Sequence, residues 1–157
     1  MARLQATLWN KYKFFLSGLV LILPIVFLYQ SLNPVFPDAL PEVTIGDYTI
    51  IPMPYDLGPA YQHDGVYVKD FLLTFTAGDI NNIRQAYLNI GNEAAIILEI
   101  QKSTGGEGFL HGSQHGQHVH AIAKPKITAK DSIWLTIENW NGEILTTRWE
   151  IPQVMLN

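Results

Sequence analysis

The chain has 157 residues, 48% hydrophobic and 15% charged, with a formal net charge of −4. That length suits one compact domain, the composition excludes a disordered charged tail, and the acidic balance leaves no phosphate-binding surface, so nucleic acid is not an expected partner. With no cysteine, a disulfide scaffold, thiolate zinc sites, iron–sulfur clusters and a cysteine nucleophile are all excluded.

The first predicted element is a membrane anchor. No charged residue occurs between Lys13 and Asp38, and residues 14–32 are nearly all apolar. As a helix this stretch rises about 28 Å, close to the roughly 30 Å hydrocarbon core. Trp9, Tyr12 and Tyr29 flank it where amphipathic rings favour the membrane interfaces, and Pro24 interrupts its middle, which membrane helices tolerate as a kink. A cleaved signal peptide has the same basic start, but the apolar run is long for one and no small-x-small cleavage site follows it. Residues 1–13 carry Arg3, Lys11 and Lys13 with no acid, while the remainder sums to −7. The positive-inside rule then puts the N-terminus in the cytoplasm and residues 43–157 outside, which in a bacterial cell is the periplasmic side of the inner membrane.

Residues 33–42, with Pro34, Pro37 and Pro41, read as an extended, semi-rigid linker. Beyond it the pattern is short strands. Residues 48–51 end at Pro52, residues 66–75 (VYVKDFLLTF) alternate and then become continuously apolar, and residues 95–100 form another apolar run. Residues 79–90 fit two periods. Ile80, Ile83, Tyr87 and Ile90 fall at helical spacing behind Asp79 as a cap, but Ala86, Leu88 and Ile90 also alternate, and strand is favoured for residues 84–90. Residues 132–138 and 144–151 flank Asn141-Gly142, a hairpin signal. Seven or so strands over this length give an all-β class, an immunoglobulin-like β-sandwich preceded by a single N-terminal transmembrane helix. Trp134 and Trp149 are expected in its core and Trp140 at the surface.

Four of the five histidines fall within ten residues: His111, His115, His118 and His120, in a segment that follows a glycine-rich stretch. Neutral imidazole is the commonest metal ligand and suits zinc and copper(II), and a glycine-rich loop bends easily around an ion. His118 and His120 share one strand face, and His115 or His111 closes from the loop. Glu107 can add an oxygen ligand. His63 joins only if the fold brings it near, and its neighbour Asp64 adds little because adjacent residues often point apart. The absence of nearby thioether and thiol ligands disfavours copper(I), so the expected cofactor is a divalent metal, zinc before copper(II). A plain polar loop and an acid sensor built on imidazoles are the competing readings.

No nucleophile elbow, phosphate loop, dinucleotide fingerprint or zinc-protease motif occurs in the sequence, so enzymatic activity is not expected. Residues 84–88 (RQAYL) and 131–137 (DSIWLTI), taken with the helix ahead of them, resemble the FixH/YtkA-like periplasmic domains, a membrane helix and small sandwich linked to metal handling. That group's methionine-glycine signature is missing, and no residue roles carry over. Two functions follow as expectations. One is a membrane-tethered metal-binding protein that captures or delivers zinc or copper(II), with a membrane transporter or receptor complex as its partner. The other is a non-enzymatic accessory or docking subunit of a larger membrane transport complex.

Overall fold

The computed structural model describes residues 8–96 and 106–156. They fall into two compact units, Met1–Val35 and Phe36–Asn157. The first contains α1, Leu8–Leu32, which begins six residues before the expected 14 and passes through Pro24 unbroken. Asn33 closes it: its backbone N–H and side-chain Nδ2 both donate to Tyr29 O, at 3.1 and 2.8 Å. Pro34 then disfavours another helical residue at 33. No residue of α1 is buried. It is one helix long and apolar enough to cross a membrane.

The second unit is all-β. Its strands are β1 (Val43–Ile45), β2 (Tyr48–Pro54), β3 (Tyr61–His63), β4 (Val66–Ala77), β5 (Ile83–Gly91), β6 (His111–Ser113), β7 (Gly116–Ile122), β8 (Ser132–Asn139) and β9 (Ile144–Glu150). They form one hydrogen-bonded path, β1-β2-β4-β7-β5-β8-β9, with β3 added to β4 and β6 to β7. All pairings are antiparallel except β5 with β7, which meet at Asn89 and Ile122. The expected immunoglobulin-like sandwich of two separate sheets is not clearly formed. The sheet is continuous and nearly barrel-shaped, because its two halves are stitched together and its far ends approach. The stitch is the segment 108–110: Leu88 N donates to Gly108 O, Leu110 N to Ala86 O and Gly108 N to His120 O, each at 2.8–2.9 Å. At the far ends, Tyr48 Oη donates to Asn139 Oδ1 at 2.7 Å and Trp149 Nε1 to Pro41 O at 2.8 Å.

Alternation places the core. Phe71 and Leu73 of β4, Val119 and Ala121 of β7, Leu88 of β5 and Ile133, Leu135 and Ile137 of β8 point inward and are fully buried. That parity puts Trp134 on the outer face of β8, a correction to its expected core position. Its Nε1 donates to Gly91 O and the Arg148 guanidinium lies over its ring. Trp149 is buried and Trp140 exposed, as expected. Residues 83–91 are strand, and Asp79 caps only a single 3-10 turn, Ile80–Asn82. Strand β2 runs past Pro52 because that residue's carbonyl accepts from Leu40 N, on the edge away from β4. The missing proline N–H lies on the same edge, so no bond to β4 is lost. Ala95 and Ile96 are irregular, and the rest of the expected strand 95–100 lies outside the described residues.

Candidate metal centre

Strand pairing builds the site on the outside of β4 and β7. The inward pair Phe71 and Val119 fixes the register, which sets Asp70 opposite His120 and Leu72 opposite His118. Because side chains alternate, His118 and His120 both leave the core on the outer face. The hairpin of β6 and β7 then sets His111 directly across from His118. The hairpin of β3 and β4 brings in His63, which pairs with Val66.

The result is a contiguous group of imidazoles. His118 Nδ1 lies 3.1 Å from His111 Nε2, and the ring centroids of His118 and His120 are 4.6 Å apart. His63 stacks on His120 at 5.0 Å with an interplanar angle of 22°. Tyr55 packs edge-on against His118 at 5.5 Å. Asp70 accepts from His120 Nδ1 at 2.5 Å and from Tyr61 Oη at 3.0 and 2.9 Å on its two oxygens. A carboxylate can only accept, so His120 carries its proton on Nδ1 and presents the lone pair of Nε2. Burial, reinforced by the Asp70 hydrogen bond and by nearby carboxylates, pushes the Tyr61 hydroxyl up to about 12. Burial lowers the pKa of His118, and His120 and His111 lower it further against the opposing pull of Asp70. A lowered pKa keeps this imidazole neutral, the form that binds metal.

Among the described residues, two groups of side chains have ligand atoms close enough to share an ion. The atoms of Asp70, His118 and His120 lie within 4.8 Å of one another, as do those of His63, Asp64 and Glu107. Of the residues expected from the sequence, the fold thus brings together His63, Glu107, His111, His118 and His120. It does not bring in His115. Ser113 pairs with Gly116, so His115 is one of two exposed turn residues, with its backbone N–H on Ser113 Oγ. The loop imidazole that the fold sets against His118 is His111.

Sequence reasoning missed Asp70 and Tyr61 and set Asp64 aside. A trace of Asp70 was present: aspartate is depleted in strands, and here it follows Lys69 as one of two charges in a largely apolar one. Glu107 owes its place to Gly108, whose φ is +85°. A Cβ there would lie 2.2 Å from Tyr87 Cε2, so only glycine lets the chain pass the tyrosine ring with Glu107 seated below the surface.

Comparison with curated proteins and with solved structures returns no match. Residues 8–152 match the family described as uncharacterised conserved protein UCP029505, and the chain belongs to that family.

Proposed function

We propose that the protein is a membrane-anchored, extracytoplasmic metal-binding protein that captures or delivers a divalent cation, zinc before copper(II). The observation that carries this reading is the convergence of Asp70, His118 and His120 ligand atoms within 4.8 Å. Two imidazoles and a carboxylate are a common zinc set that leaves a coordination position open. His111, whose Nε2 lies 3.1 Å from His118 Nδ1, is the neighbouring imidazole that would complete it. In the metal-free protein Asp70 accepts from His120 Nδ1 and so holds that ring in place; an ion shared by Asp70 and His120 takes the place of that proton. The anchor role rests on α1 and on Arg3, Lys11 and Lys13, ahead of it and in its first turns, which orient the β-domain outward by the positive-inside rule. Tethering holds a bound ion close to the bilayer, at high effective concentration for a membrane partner.

The test is calorimetric titration of the detergent-solubilised full chain with zinc and with copper(II). Micromolar or tighter binding is expected, and it is expected to disappear when His111, His118 and His120 are all replaced by alanine. Tight binding that survives this triple replacement overturns the assignment.

A further inference from the structure

We infer that the centre holds two cations side by side, the second on His63, Asp64 and Glu107. This deepens the metal-binding reading and rests on it. The carrying observation is Glu107. The residue is 9% exposed, and its Oε1 accepts from His63 Nδ1 at 2.9 Å. Its other oxygen, Oε2, is buried with no hydrogen-bond partner among the described residues. A buried carboxylate oxygen without a donor is costly and rare in folded proteins. An ion pair with His63 satisfies Oε1 alone, whereas a cation that takes the place of the His63 Nδ1 proton and is held by both carboxylate oxygens would satisfy Oε1 and Oε2 together.

The backbone supplies the third ligand. His63 and Asp64 are neighbours and in an extended strand would point to opposite faces. Asp64, however, has φ +44° and Gly65 φ +87°. They form the two-residue turn between His63 and Val66, of the type with both central residues left-handed. That turn breaks the alternation and aims the Asp64 carboxylate back toward the His63 imidazole, within ligand distance of Glu107. Its non-glycine residue is an aspartate, a type that tolerates this conformation.

Charge and ligand chemistry separate the two positions. The first offers one carboxylate and at least two imidazoles, the second two carboxylates and one imidazole. The stack of His63 on His120 puts them next to each other, so one ion repels the next unless carboxylates offset it. Asp64 and Glu107 neutralise a second divalent charge. The nitrogen-rich position therefore fills first with zinc, and the oxygen-rich one second and more weakly.

Native mass spectrometry of the full chain in detergent, titrated with zinc alone, tests this. Two zinc ions per wild-type chain are expected, bound in two resolved steps. Glu107→Gln, which keeps a hydrogen-bonding group of the same size, is expected to retain one, as is Asp64→Asn, which still tolerates the left-handed turn. His118→Ala combined with Asp70→Asn is expected to lose the first ion. With chelator present, Glu107→Gln is expected to unfold no earlier than wild type, because it removes an unsatisfied buried carboxylate. A single zinc that is lost with His118 and untouched by Glu107→Gln overturns the second site and leaves the metal-binding reading standing. Two zinc ions retained by both Glu107→Gln and Asp64→Asn also overturn it. No zinc at all overturns both.

Discussion

Lys69 and Asp70 are consecutive charges in a strand of apolar residues, and they leave it on opposite faces. Asp70 turns outward into the histidine group. Lys69 turns inward, is 1% exposed, and donates to Asp56 Oδ1 at 2.9 Å and Gly58 O at 2.7 Å. The Lys69 hydrogen bond holds the Asp56 carboxyl below its ordinary pKa against modest desolvation. Asp56 is largely solvated but its partner is not, so Asp56→Ala, which leaves the buried Lys69 ammonium without its counter-charge, is expected to cost about 3 kcal/mol in urea unfolding. Asp70→Asn is expected to weaken zinc binding at least tenfold, on the order of the loss when a ligand or its orienting partner is removed, with little change in unfolding midpoint. Equal binding by this variant in calorimetry counts against Asp70 as a participant. Asp131 contributes to acid stability. Burial alone would raise its pKa, but hydrogen bonds from Lys124 and from the Thr128 N–H and hydroxyl bring it below 3.8. The folded state therefore binds its proton less readily than the unfolded chain. The stability this contributes is fully present above the unfolded value and is lost as pH falls through the lower folded value. Asp131→Asn is expected to be less stable at neutral pH and to show a flatter decline between pH 5 and 2 (a range set by the ordinary carboxylate value), as thermal unfolding across that range will show.

At the scale of elements, the segment 108–110 does two jobs. It supplies backbone bonds between β5 and β7 and it delivers Glu107 to the centre. Both depend on Gly108 passing over Tyr87. Gly108→Ala is expected to destabilise by about 1–2 kcal/mol from the left-handed backbone alone. A further cost of about 1–3 kcal/mol follows from displacing the Tyr87 ring. Calorimetric unfolding should show the loss, and an unchanged midpoint would mean the ring moves aside freely. Strand period explains what could be foreseen here. The alternation of β7 announced that His118 and His120 share a face, and that of residues 84–90 outweighed the helical spacing, leaving Asp79 to cap one short turn. The two-residue turn at Gln114 and His115 was not foreseen, because a histidine-rich loop gives no register until its flanks pair.

For the whole molecule, the helix and the β-domain make separable claims. The chain has no cysteine, so single introduced thiols report position without background. On right-side-out membrane vesicles, Lys126→Cys, at an exposed site of the β-domain, is expected to react with a membrane-impermeant maleimide, and Ala2→Cys is expected to be protected until the bilayer is dissolved. The reverse labelling would put the metal centre on the cytoplasmic side and remove the proposed location.

The residues by themselves determined what local chemistry can specify. A charge-free apolar run long enough to span a bilayer, strands of period two, a hairpin at Asn141-Gly142 and a concentration of imidazoles near residue 115 each depend only on neighbours along the chain. Tertiary structure decided the nearly barrel-shaped course of the sheet and which side chains meet at the candidate centre. Asp70 meets His120 from fifty positions away and His63 meets Glu107 from forty-four. Those contacts follow from Phe71 packing inward beside Val119 and from the chain crossing Tyr87 at Gly108. Such long-range register is set by how buried side chains fill a shared interior, and no local pattern encodes it.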